Sequence, residues 1–156
     1  MARNSIEVNG TPSDVFDVLL DAEAYPQWVF GAKRMRRVDP EWPEPGAAFY
    51  HSVAVGGAIK DKTEILRLES PREILLEAYA RPLGIARVLI RVQPEGGRSR
   101  ITITEFPSPG SMLEKLRQVV DPLIHVRNVF SLRRLRDLVE IRRVQRARKT
   151  PRLQAV

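Results

Sequence analysis

Residues 124–139 read IHVRNVFSLRRLRDLV. Wound as a helix at 100° per residue, this stretch gathers Ile124, Leu132, Leu135, Leu138 and Val139 on one side. Arg127, Arg133, Arg134, Arg136, Asp137 and Glu140 fall away from that side. Asn128 and Ser131 do not: they lie in the middle of the apolar stripe, one turn apart. A buried polar group without a partner costs roughly 1–3 kcal/mol. The two residues therefore face either strand backbone that satisfies them or a wet or ligand-filled cavity. The second reading makes this a protein that holds a small molecule.

Upstream of the helix the period changes from 3.6 to two. Strands are expected at 33–38, 47–55, 59–68, 73–80, 86–93 and 100–106, with a short first strand at 5–8. The breaks carry turn residues: Pro43-Glu44-Pro45-Gly46, Gly56-Gly57, Ser70-Pro71-Arg72, Pro82-Leu83-Gly84 and Pro94-Glu95-Gly96-Gly97. Such short connections imply an antiparallel meander, because parallel strands need long crossovers. Alternation assigns the faces. Val88, Ile90 and Val92 point one way, as do Ile101 and Ile103, and Ile74, Leu76 and Ala78. Glu105 shares the face of Ile101 and Ile103, and His51 shares that of Phe49, Val53 and Val55, so both point inward. Asp61 is in register with Ile59, Thr63 and Ile65 on the same side of its strand.

Between the first strand and this meander, Thr11-Pro12-Ser13-Asp14 is a helix start, with Thr11 as cap and Asp14 at the third position. Val15, Phe16, Leu19 and Leu20 give that helix an inward face, and a second helix around Tyr25 is interrupted by Pro26. After residue 107 the helical period returns. Met112, Leu113, Leu116, Val119 and Val120 form a first apolar face, and Pro122 kinks or restarts the helix. Arg142 and Arg146 fall where the later stripe would continue, so the helix is expected to leave the body near Ile141. The expectation is one domain over residues 1–141 and a basic, flexible tail over 142–156.

The net charge of +7 belongs to the C-terminal end. Nine of the 26 Lys/Arg and two of the 19 Asp/Glu lie from Arg133 onward, which leaves 17 of each sign in residues 1–132. A neutral body with a basic end differs from a nucleic-acid-binding domain with cations spread over one face. The tail also has no aromatic residue to stack on bases, so no specific nucleic acid is expected as a partner. There is no cysteine, which excludes disulfides and thiolate sites, and two histidines are too few for a convincing zinc site. No glycine-rich phosphate loop and no nucleophile elbow occurs, and no metal or cofactor is called for. The opening Met-Ala-Arg-Asn-Ser-Ile-Glu lacks the apolar stretch of a secretory leader, and no segment approaches the ~20 apolar residues of a membrane span. The cytoplasm is the expected compartment.

The order of elements is specific: strand, two short helices, six antiparallel strands, long C-terminal helix. Over roughly residues 3–141 the chain resembles the helix-grip (SRPBCC) superfamily of START-like lipid-binding domains, polyketide cyclase/dehydrase-like proteins and pollen-allergen-type proteins. The resemblance rests on Ile6-Glu7-Val8-Asn9-Gly10-Thr11-Pro12-Ser13-Asp14-Val15-Phe16, on Tyr25-Pro26-Gln27-Trp28, on the turns at Ser70-Pro71-Arg72 and Pro94-Glu95-Gly96-Gly97, and on Arg127-Asn128. It implies an α+β fold in which a curved antiparallel sheet of about seven strands wraps around the C-terminal helix and leaves a cavity. Phe49, His51, Val53, Val88, Ile90, Ile101, Ile103 and Glu105 would line that cavity from the sheet. Ile124, Asn128, Ser131 and Leu135 would line it from the helix, with Trp28 and Tyr25 near its entrance.

By that resemblance the chain binds a small hydrophobic or amphipathic, lipid- or polyketide-like molecule as a carrier or sensor. One alternative is a cofactor-independent cyclase/dehydrase, with Glu105 and His51 as the catalytic acid–base groups. Another is an adaptor that meets an anionic membrane surface, or RNA, through Arg142, Arg143, Arg146, Arg148, Lys149 and Arg152. No oligomeric state follows from the chain.

Overall fold

The computed structural model describes residues 1–53 and 59–150. The strands are β1 (Ala2–Val8), β2 (Ala32–Val38), β3 (Ala48–Val53), β4 (Ile59–Glu69), β5 (Glu73–Ala80), β6 (Gly84–Glu95) and β7 (Arg98–Pro107). They form one curved antiparallel sheet in the order β1-β7-β6-β5-β4-β3-β2. The meander is legible because each turn is local. Gly96 and Gly97 both take positive φ, 51° and 84°, and form the two-residue loop that pairs Glu95 with Arg98. That geometry matches the right-handed twist of the flanking strands, and only glycine adopts it cheaply. The expected Gly56-Gly57 turn and Val55 lie outside the described residues.

Between β1 and β2 run α1 (Pro12–Leu19), a 3₁₀ turn (Ala22–Ala24) and α2 (Tyr25–Trp28). The start of α1 is a reciprocal cap. Thr11 Oγ1 accepts from Asp14 N at 3.2 Å, and Asp14 Oδ2 accepts from Thr11 N at 2.9 Å. Thr11→Ala removes one of these bonds at an exposed site and is expected to lower stability by about 1 kcal/mol, read as a shift of the urea midpoint at constant m.

The C-terminal region holds α3 (Met112–Lys115) and α4 (Arg117–Lys149). The helix α4 lies across β1 and β7 and against α1 and α2. Its buried residues are Asn128, Ser131, Leu132, Leu135 and Val139, the stripe expected from periodicity. With Val8, Val15, Phe16, Ile65, Ile74, Ile90, Val92 and Ile101 this stripe builds the core.

Three expectations for this region need correction. The break falls at Leu116, and α4 runs unbroken through Pro122. A proline there removes one backbone bond from a 33-residue helix that tertiary packing supports elsewhere. The helix also does not end near Ile141 but continues to Lys149. Arg142 Nη2 reaches Asp21 at 2.8 Å, and Arg146 reaches Asp14 at 3.1 Å and Asp17 at 2.7 Å. Cations where the apolar stripe would continue therefore dock on the acids of α1 and the turn after it. Finally, of the first apolar face only Leu113 is buried and Val120 half-buried, while Met112, Leu116 and Val119 are exposed.

Candidate functional site

A small, partly open cavity of about 50 Å³ lies between the sheet and α4. Its apolar wall is Leu76 and Ala78 from β5, Val88 and Ile90 from β6, and Ile103 from β7. Tyr25, Trp28 and Val29 close it from α2 and its C-terminal end, and Thr63 enters from β4. The helix α4 contributes Arg127, Asn128 and Ser131.

The polar side is held together by α4. The buried Glu105 Oε2 accepts from Arg127 Nη2 at 2.5 Å and from Asn128 Nδ2 at 3.3 Å. Arg127 Nη2 also donates to Asn128 Oδ1 at 3.3 Å. Ser131 Oγ accepts from Phe30 N at 2.9 Å, which ties the α2–β2 connection to the helix. Among the described residues, neither Asn128 nor Ser131 bonds to strand backbone. Their place on the apolar stripe thus reflects a polar cluster beside the cavity.

A second polar row comes from the sheet. Register pairs His51 with Asp61 and Phe49 with Thr63, and His51 Nε2 lies 3.3 Å from Thr63 Oγ1. The His51 ring packs on Tyr25 at 5.0 Å and Phe49 at 5.7 Å between centroids. Burial without a charged partner pushes His51 down to about 4, so its imidazole is neutral at physiological pH. Desolvation pushes the Tyr25 phenol up, against the opposing influence of nearby Arg127 and Thr63. Burial likewise raises Asp61, whose Oδ1 accepts from Arg81 N at 3.3 Å.

Three buried polar atoms around this site have no hydrogen-bond partner among the described residues: Trp28 Nε1, His51 Nδ1 and Arg127 Nε. Buried donors are nearly always paired in folded proteins. Two of the three, Trp28 and Arg127, belong to residues that line the cavity, which marks that space as unusual.

Of the residues singled out from sequence, Trp28, Val88, Ile90, Ile103, Asn128 and Ser131 line the cavity, as does Tyr25. Trp28 is deeply buried rather than placed at an opening, whereas Tyr25 is half-buried. Glu105 reaches the cavity wall only through Arg127 and Asn128, and His51 only through Thr63 and Tyr25. Phe49, Ile101 and Leu135 are packed in the interior and do not line it, and neither do the half-buried Val53 and Ile124. Glu105 and His51 bond to different partners, so they do not form an acid–base pair. Val29, Thr63, Leu76, Ala78 and Arg127 also line the cavity. Alternation along β4 and β5 signals Thr63, Leu76 and Ala78. Arg127 carries no such signal, because it lies off the helix stripe and arrives by side-chain length.

Among the described residues, no helix is long and apolar enough to cross a membrane. The family profile described as "Polyketide cyclase / dehydrase and lipid transport" matches residues 2–140. An uncharacterized protein of Mycobacterium tuberculosis, Rv2574, is 30% identical over 151 residues, which covers 94% of this chain and 84% of the relative. Among solved structures, protein NE0264 from Nitrosomonas europaea superposes with a TM-score of 0.71 at 18% identity, covering 91% of this chain and 95% of that one. The di-domain ARO/CYC StfQ of the steffimycin biosynthetic pathway gives a TM-score of 0.66 at 15% identity, covering 90% of this chain and 50% of that one. At such identities the structural likeness establishes the helix-grip fold alone. The profile match spans nearly all of the described body, from β1 into α4, and on that ground the chain belongs to the polyketide cyclase/dehydrase and lipid transport family.

Proposed function

We propose that this protein binds a small hydrophobic or amphipathic molecule between the sheet and α4, as a carrier or sensor. The observation that carries this reading is the pair of buried donors, Trp28 Nε1 and Arg127 Nε, left without partners among the described residues beside a wall of Leu76, Ala78, Val88, Ile90 and Ile103. A ligand with an apolar body and an acceptor oxygen would satisfy both features. At about 50 Å³ the cavity has room for only one or two water-sized molecules. A larger ligand requires the wall to open. Arg127 is the suitable element, since its side chain is 39% exposed yet bonded to the buried Glu105.

The test is native mass spectrometry of protein purified from its own host, with organic extraction, together with titration by the apolar fluorophore N-phenyl-1-naphthylamine. An extractable lipid- or polyketide-like mass, or saturable probe uptake that Asn128→Leu weakens about fivefold or more, is the expected result. A protein that yields no extractable mass and takes up no probe would remove the reading.

A cyclase/dehydrase reading is favoured by one observation only, the row Tyr25–Thr63–His51. Its neutral imidazole and neutral phenol stand on either side of a hydroxyl. Proton transfer would run along that row, with His51 accepting, rather than between His51 and Glu105. Contact with an anionic membrane through the C-terminal basic segment is a further proposal. It is weakened because Arg142 and Arg146 are engaged by α1 and the following turn, which leaves Arg143, Arg148 and Lys149, while Arg152 lies outside the described residues.

A further inference from the structure

The helix α4 is apolar on two opposite sides. Its buried stripe centres on Asn128, Ser131 and Leu135. Half a turn away, at heptad spacing, run Leu116, Val119, Leu123, Val126 and Phe130, all exposed, with Val119 at 68% and Leu123 at 67%. Ile141 and Val144 continue the same line toward the C-terminus and are also exposed. The stripe is not isolated. Phe130 stacks on the exposed Phe30 at 5.4 Å, extending the patch onto the α2–β2 connection. At the other end Leu113 N donates to Leu83 O at 3.0 Å, which sets the exposed Leu83 and Met112 beside the start of α4. Residues from three parts of the chain thus converge on one outward apolar surface. Soluble monomers seldom carry such a contiguous patch without a use for it.

The charges around the patch indicate what it meets. Lys115, Arg133 and Arg134 flank it and form no ion pair among the described residues, and the Arg134 guanidinium sits over the Phe30 ring at 5.1 Å. The acids near it are engaged: Asp137, on the same side of the helix, pairs with Arg136 at 2.9 Å, and Glu114 accepts from Gly110 N at 2.6 Å. A second copy docked on this face would set cations against cations. An anionic, apolar-cored surface would complement both features.

We propose that the outward face of α4, from Leu116 to Phe130 together with Phe30 and Leu83, docks on an anionic lipid bilayer. The helix lies in the plane of the headgroups with its apolar stripe inserted and its flanking arginines at the phosphates. This surface is distinct from the C-terminal basic segment and from the cavity, so it stands or falls independently of what the cavity holds.

The test is co-sedimentation of the full chain with phosphatidylcholine vesicles, with and without about 30 mol% phosphatidylglycerol. Partitioning onto the anionic vesicles is expected. It should fall about tenfold or more in Leu123→Ser/Val126→Ser and in Arg133→Glu/Arg134→Glu. It should be largely retained in Arg143→Gln/Arg148→Gln/Lys149→Gln. All substituted positions are exposed, and unchanged thermal melts would confirm that each variant is folded. No partitioning onto either vesicle overturns the proposal. So does partitioning that only the C-terminal triple variant abolishes. A solution dimer that dissociates in Leu123→Ser/Val126→Ser would assign the face to a second copy and overturn it as well.

Discussion

Arg127→Met will lower the unfolding free energy by about 2–4 kcal/mol, and the thermal midpoint by roughly 5–15 °C for a chain of this size. Glu105 is 5% exposed, and its Oε2 takes one donor from Arg127 at 2.5 Å and a longer one from Asn128 at 3.3 Å. Removing the guanidinium leaves a buried carboxylate with a single amide donor. The loss stays below that of a fully buried pair because the Arg127 side chain is 39% exposed, which screens the interaction. Urea denaturation of the single variant and of Arg127→Met/Glu105→Leu separates the causes. The double variant should recover most of the loss, because replacing both partners by apolar groups removes the uncompensated charge. An unchanged midpoint in the single variant would show that the pair contributes nothing to stability.

His51 will make the fold acid-sensitive in a defined window. Burial holds its folded pKa at about 4 against an ordinary 6.5. Above the ordinary value both states carry neutral imidazole, and the contribution is fully present. As pH falls from 6.5 toward 4 the unfolded chain takes up a proton that the folded protein resists, so stability is lost. The loss amounts to about 3 kcal/mol over the window. Asp61 works in the opposite sense, because burial raises its carboxyl and its protonation on the acid side favours the folded state. Measuring unfolding free energy against pH for the protein and for His51→Phe, then taking the difference, isolates the histidine to first order. A difference that stays flat between pH 6.5 and 4 would mean the folded protein protonates His51 freely.

Much of the fold was legible in the chain because its determinants are local. The reciprocal cap between Thr11 and Asp14 spans four residues, and the Gly96-Gly97 loop is set by two. Alternation placed Glu105 and His51 on the inner face, where both are buried. The same pattern could not say what each would touch. Glu105 meets an arginine 22 positions away that lies off the buried helix stripe, and His51 meets Thr63 through the β3–β4 register. Those meetings depend on side-chain reach and strand pairing, which no periodicity records.

The apolar residues from Met112 to Val120 show the opposite failure. A hydrophobic face reads as core, yet only Leu113 is buried, because the inner side of α4 is already filled by its other stripe. The C-terminal end shows the same dependence on context. Arg142 and Arg146 interrupt an apolar pattern and read as a departure from the body, but Asp21, Asp14 and Asp17 stand where they can be reached. The sequence by itself determined the strands, the first helix, the meander and the polar interruption at Asn128 and Ser131, all through short-range periodicity and turn chemistry. Only the tertiary structure decided which donors remain without partners, which carboxylate the helix holds, and which apolar face is left outside. Those outcomes arise from competition among groups more than 20 residues apart for a limited interior.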